Sequence, residues 1–202
     1  MTKAVWGARI RLAGALACAV LLSSCGDAVQ QGQGSSYLIV TSITAAPGNA
    51  PTTFTTFLLS DVVTVVNNVE TFFNDPGQAN FQLALKDPGP SSSPNSPSVN
   101  NAITLTQYHV EYVRSDGHNV QGVDVPFAFD GALSTTIATS GSVGFQLVRH
   151  SAKQEAPLKA LAFSNQPITA VAQVTFFGHD QTGRGVNATG NIEVTFWNFA
   201  DK

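Results

Sequence analysis

An all-β fold, an antiparallel β-sandwich, is what this sequence predicts, and three observations carry it. The first is alternation near the C-terminus. Val186, Ala188, Ile192, Val194 and Phe196 hold even positions, while Asn187, Thr189, Asn191, Glu193 and Thr195 hold odd ones. That is the period of a strand with one face buried. Ala170, Ala172, Val174 and Phe176 repeat it, and the glycine-rich segment 178–185, GHDQTGRG, separates the two runs. Together they predict an antiparallel hairpin. The second observation is composition. Only 11% of the 202 residues are charged, against about a quarter in ordinary domains. Thr, Ser, Asn, Gly and Val fill the polar and turn positions instead, which suits short strands and turns. The third is spacing: roughly eight or nine short apolar runs are separated by turn residues, as in a two-layer β fold.

The other elements follow in order. Strands are expected over Tyr37–Ile43, Phe57–Val66 and Phe81–Lys86. Asp87–Asn101, DPGPSSSPNSPSVNN, has no core-forming cluster and is expected to be a mobile, exposed loop. Ala102–Arg114 is a strand whose apolar phase slips: Ile103 and Leu105 are odd, Tyr108, Val110 and Tyr112 even. A β-bulge near Thr106-Gln107 accounts for the slip. Ser115-Asp116-Gly117 is a hairpin signal, with the chain returning over Val120–Phe129. Pro126 marks that return as an edge. Leu133–Ala138 and Ser142–His150 are further strands, the latter with Val143, Phe145 and Leu147 on one face. Ser151–Leu161 is helix-like. Ser151 and Gln154 have capping-box spacing and Pro157 limits the helix, so one short helix is expected near residues 152–161.

The N-terminus carries an address. Lys3, Arg9 and Arg11 precede the uncharged run Leu12–Leu22. Eleven residues are too few to span a bilayer, which takes about 20, but they suit the h-region of a signal peptide. Leu22-Ser23-Ser24-Cys25 follows. This order resembles the lipobox of bacterial lipoproteins. The resemblance implies a diacylglycerol thioether on Cys25, cleavage before it, and acylation of the new amino group. One acyl chain anchors marginally and two or more anchor stably. The implied organisation is a signal peptide over 1–24, an acylated N-terminus and flexible tether over 25–36, and a single sandwich domain over 37–202. Gly26, in place of an aspartate after the cysteine, implies the outer rather than the inner membrane of the cell envelope.

Charge excludes some partners. Without Lys3, Arg9 and Arg11 the Lys and Arg count falls from 10 to 7 against 13 acids, and the net charge from −3 to −6. The remaining cations are scattered, so no nucleic-acid footprint exists, and anionic lipid would not attract the domain. Membrane attachment falls to the lipid on Cys25. Cys18 leaves with the signal peptide, so no intramolecular disulfide is expected.

In layout, residues 37–200 resemble an immunoglobulin-like or fibronectin-like domain, with a short helical crossover before the last hairpin. The cysteine pair of antibody domains is missing. The segments VPFAFDG, FQLVRHSAKQEAPL and VTFFGHDQTGRGVNATGNIEVTF resemble stretches of uncharacterised bacterial lipoproteins, a likeness that supplies no activity.

Motifs for chemistry are sparse. A zinc site needs three or four convergent ligands. His109 and Glu111 share a strand face, but two solvated residues explain them as well; His118, His150 and His179 lie apart. Gly141-Ser142-Val143-Gly144 is one residue short of a nucleophile elbow. Asp124, Asp130 and Asp180 suit turns. No catalytic residue, metal ligand or cofactor is assigned. Trp197 and Phe199 share the odd face of the last strand, and Phe177 is expected near them across the hairpin. An open aromatic face there would suit a carbohydrate or protein partner; a covering segment would make it part of the core. The expected function is a lipid-anchored, non-enzymatic interaction or structural module. The rivals are a carbohydrate-binding module using the Trp197 face and an envelope enzyme assembled from residues such as His109, Glu111 and Asp124.

Overall fold

The computed structural model describes residues 34–199; the signal-peptide and Cys25 expectations lie outside them. Ten strands form: β1 (Ser36–Ala45), β2 (Phe57–Asp61), β3 (Thr64–Val66), β4 (Val69–Thr71), β5 (Asp75–Leu85), β6 (Ile103–Val113), β7 (Phe129–Ile137), β8 (Ser140–Val148), β9 (Ile168–Asp180) and β10 (Gly185–Trp197). They make a three-stranded sheet, β1-β5-β8, a five-stranded sheet, β2-β10-β9-β6-β7, and the small hairpin β3-β4. All neighbours are antiparallel except β2, which runs parallel to β10. The fold is the expected all-β sandwich.

Its core lies between the two larger sheets. Phe81 and Phe145 from the three-stranded sheet meet Phe176 from β9 edge-on, at 4.9 and 5.4 Å between ring centres. Tyr108 of β6 packs on Phe145 at 5.4 Å. Such edge contacts add about 0.5–1.5 kcal/mol each beyond buried area.

The last hairpin forms as its period dictates. Ala188 pairs with Phe176 and Val194 with Ala170, and the even apolar residues from Ala170 to Phe176 and from Val186 to Phe196 are buried. Register slips between Leu105 and Gln107 of β6, where the change of phase predicts the bulge. Gly178 sits opposite: a Cβ there would lie 2.1 Å from the Thr104 carbonyl oxygen, so only glycine fits. A second bulge, between Val40 and Ser42, moves the buried set of β1 from Ser36 and Leu38 to Ile43 and Ala45.

Several boundaries differ from expectation. Residues 120–129 are not the strand that returns after Asp116-Gly117; β7 is, pairing Phe129 with Val110. Local bonds explain this. Asn119 Oδ1 accepts the Arg114 amide, Asp116 Oδ1 the His118 amide at 3.1 Å, and Asp124 Oδ2 the Val120 amide at 3.0 Å. Pro126 has no amide to offer, so the ladder resumes only at Phe129. Phe57–Val66 is likewise not one strand. It breaks at the buried Val62-Val63, and the chain turns back at Asn67 and Asn68, both at positive φ, as a two-residue hairpin turn requires. The single helix near 152–161 is instead a helical turn, His150–Lys153, and a 3-10 helix, Leu158–Phe163, after Pro157. The Ser151–Gln154 spacing does not cap the turn: Arg149 holds the N-cap position without a side-chain bond. Ser36 belongs to the domain rather than to the tether, since it is buried and its hydroxyl donates to the Asn101 carbonyl at 2.8 Å.

Lys153 ends the helical turn pointing inward. Its ammonium lies 2.9 Å from Asp75 Oδ1, with side-chain exposures of 1% and 0%. Asp75 also accepts from Ser60 Oγ at 2.6 Å and the Gly48 amide at 2.7 Å. Burial pushes the Asp75 carboxyl up, and the Lys153 ammonium and Ser60 hydroxyl pull against it.

Adjacent residues of β10 should therefore differ sharply in weight. Phe196→Ala is expected to cost about 3–5 kcal/mol. Thr195→Ala should cost no more than about 1 kcal/mol, because it loses only a cross-strand hydroxyl pair with Thr169 at 3.1 Å. Denaturant melts measure both; equal losses would mean a shifted register.

Candidate functional site

Two sheet faces point away from the core, and they differ in chemistry. On the five-stranded sheet, the outer residues of β10 and β9 fall into rows fixed by register. Trp197 ends this face. It is half-buried: its Nε1 donates to the Ser164 carbonyl at 3.0 Å and its ring meets Phe199 edge-on at 5.7 Å. Asn198 Nδ2 donates to the Ala162 carbonyl at 3.1 Å, and the Phe199 amide to Asp61 Oδ1 at 3.2 Å. The segment that crosses between β8 and β9 thus covers part of the tryptophan.

Phe177 does not join Trp197. It pairs with Asn187, ten residues from Trp197 along β10, which is about 33 Å at strand rise. Residues of a hairpin meet by distance from the turn, and Phe177 lies near the turn while Trp197 lies at the open end. Phe177 is 38% exposed, alone among polar neighbours: Gln107 and Asn187 flank it.

The titratable residues are engaged separately. His109 Nδ1 lies 2.9 Å from Asp130 Oδ1 across β6 and β7, so its partner is Asp130 rather than Glu111. Asp124 holds the turn described above, and His150 Nδ1 lies 3.0 Å from Asn74 Oδ1. Among the described residues no three of His, Cys, Asp and Glu converge as a metal site would require. Asp180 closes the β9–β10 turn, where its Oδ1 accepts from the Thr182 amide at 2.8 Å, the Thr182 hydroxyl at 2.6 Å and the Arg184 amide at 3.0 Å. Burial alone would raise its carboxyl; the Thr182 and Arg184 donors outweigh that and hold it below the usual range.

The outer face of the three-stranded sheet carries a groove of about 630 Å³. Its floor is β5, its sides are β1 and the start of β8, and Pro97 of the 87–101 loop forms a wall. Thr41, Asn80, Gln82, Thr139, Ser140 and Ser142 bring its polar side chains. Register sets Asn80 opposite Ser142 and Gln82 opposite Ser140. The bulge at Thr41 bends β1 here, a common device beside binding sites. The loop is held at its far end, where Asn101 Nδ2 donates to Ser35 Oγ at 3.0 Å. No lining residue is acidic, basic or histidine. Motif reasoning passes over this site. One signal was legible: β1, β5 and β8 together contain a single charged residue, Asp75, and that one is buried.

Comparison with protein-family models, with curated proteins and with solved structures finds no match to this chain. The fold and both faces therefore define a class, a β-sandwich with one uncharged open face, and the chain's own residues define the rest.

Two outcomes check the geometry. Trp197→Ala should cost about 1 kcal/mol or more, since it removes the donor of the part-buried Ser164 carbonyl and the ring's packing, whereas Phe177→Ser should stay within about 0.5 kcal/mol. Asp180→Asn should weaken the fold at neutral pH. Because the folded carboxyl is held low, that difference is full above the ordinary aspartate value of about 3.9 and vanishes as pH falls through the lowered folded value. Urea melts of both forms across the acid range read it.

Proposed function

We propose that this protein is a lipid-anchored module of the bacterial cell envelope, held by acyl chains on Cys25, with a binding or structural role rather than a catalytic one. The observation that carries the reading is the order of signals at the N-terminus: three cations, an uncharged apolar run of eleven residues, then Leu22-Ser23-Ser24-Cys25. Basic, apolar and small-residue segments in that order are what export and cleavage need, and a cysteine at the cut supplies the thiol for a lipid. The start of the described domain suits this, because β1 begins at Ser36, eleven residues after Cys25. Gly26 favours the outer membrane.

The sandwich is further proposed to be immunoglobulin-like. What supports this is the strand order: β1-β5-β8 in one sheet and β2-β10-β9-β6-β7 in the other, with β2 parallel to the last strand. Two packed sheets with consecutive strands assigned to different sheets, β1 in one and β2 in the other, belong to that architecture. What supports a binding role is the groove on the three-stranded sheet, which offers hydroxyls and amides but no acid, base or histidine. Proton transfer would have no agent there.

The anchor is tested by mass spectrometry of the mature N-terminus from membranes. A chain that starts at Cys25 and carries a diacylglyceryl group is expected, and Cys25→Ala should leave uncleaved precursor without lipid label. An unmodified terminus at another residue contradicts the proposal.

A further inference from the structure

We propose that the outer face of the three-stranded sheet binds an uncharged glycan chain, laid in the groove between that face and Pro97. This deepens the binding-module reading, on which it rests, and is independent of the anchor.

Space is the first support. A groove of about 630 Å³ lies within the range of roughly 300–1,000 Å³ that small-molecule sites occupy.

Charge is the second. A solvent-facing sheet ordinarily carries Lys, Arg, Glu or Asp, which keep it soluble and guard its edges. Here β1, β5 and β8 show solvent only neutral side chains, because Asp75 is buried. A phosphate, carboxylate or amine would find no counter-charge in the groove. A neutral ligand rich in hydroxyls meets no penalty.

Hydrogen-bond chemistry is the third. Each sugar hydroxyl both donates and accepts. Serine and threonine hydroxyls do the same, and carboxamides offer a donor and an acceptor side by side. Thr41 Oγ1 donates to the Asn80 carbonyl at 3.1 Å, and Asn80 Nδ2 to Ser42 Oγ at 2.9 Å, which orients that amide. Gln82, Ser140 and Ser142 are exposed and stand in two cross-strand rows with Asn80. Two residues along a strand separate the rows by about 6.7 Å, so a chain ligand running along the strands meets one pair after another. Tyr37, 45% exposed, extends the same face beyond Ile39, and its ring offers an apolar surface with a polar tip.

The test uses the full chain in detergent. Affinity electrophoresis and titration calorimetry are run against cellohexaose, chitohexaose, maltohexaose and dextran. Wild type should bind at least one. Gln82→Ala and Ser142→Asp should each weaken that binding roughly tenfold or more, the scale of one or two hydrogen bonds to a ligand, while melting midpoints hold. Gln82→Glu, which keeps the size and adds charge, should act likewise if the alanine variant unfolds. Phe177→Ala should leave binding intact. Absence of binding to all four probes overturns the proposal. So does binding that survives Gln82→Ala and Ser142→Asp, or that is lost with Phe177→Ala. A wild type that dimerises without glycan affinity, and that Ser142→Asp makes monomeric, assigns the face to a second copy and also overturns it. The mature N-terminus is read separately. A lipid-modified chain without glycan affinity leaves the anchored-module reading standing, and a glycan-binding chain with an unmodified terminus removes the anchor alone.

Discussion

The buried pair of Asp75 and Lys153 is the constraint on which the arrangement of the two sheets depends. Asp75 opens β5, in the three-stranded sheet. Its carboxylate takes donors from three other places: Gly48 in the β1–β2 connection, Ser60 in β2 of the five-stranded sheet, and Lys153 in the crossover. A charge with no solvent access tolerates little displacement, since each lost donor leaves it uncompensated. Such a pair adds little net stability over apolar residues of the same shape. Removing one partner, however, costs about 3–5 kcal/mol. It therefore fixes where elements sit more than how firmly they hold. Lys153 must reach inward, so the helical turn stops there. The chain then leaves through Pro157 and the 3-10 helix Leu158–Phe163, and this route brings the Ser164 carbonyl over Trp197. The crossover that carries the ion pair thus also supplies the partial cover on that tryptophan.

The open side of the sandwich shows a related economy. β8 ends its sheet, and an edge strand would otherwise present unpaired backbone groups, a template for foreign strands. Two tyrosines of β6 meet that edge. Tyr112 donates its hydroxyl to the Leu147 carbonyl at 2.6 Å, and the Tyr108 hydroxyl accepts the Gln146 amide at 3.2 Å. Burial pushes the Tyr112 phenol well up, so it remains a donor at any ordinary pH. These contacts also tie one sheet to the other.

Much of this fold was legible from period alone. Even–odd alternation located the β9–β10 hairpin and the buried faces of Val194 and Phe196, and a change of phase located the β6 bulge. What escaped were features set by partners distant in sequence or by local side-chain bonds. Asp116, Asn119 and Asp124 hold residues 114–125 in turns, so an Asp-Gly signal did not mark the hairpin it usually does. Asn67 and Asn68 both adopt positive φ without a glycine to announce it. The Asp75–Lys153 pair joins residues 78 apart, beyond any local pattern. Phe177 and Trp197 share a face by parity, but register along the strand separates them. The groove belongs to the same category. Its residues come from β1, β5, β8 and a loop, and its signal was a lack of charge rather than a motif. The acidic surplus of the chain sits elsewhere, on residues such as Glu111, Asp116, Asp130 and Glu193.

A double-mutant cycle on Asp75 and Lys153 tests the central claim most directly. Unfolding free energies of Asp75→Asn, Lys153→Met and the double variant are compared with wild type by denaturant titration. Each single change should cost about 3–5 kcal/mol. The double variant should lose less than their sum by roughly 1–3 kcal/mol, because the second substitution removes a charge the first had stranded. Losses that add to within about 0.5 kcal/mol, or single losses like those of surface positions, would contradict the account and leave the position of the crossover to packing alone.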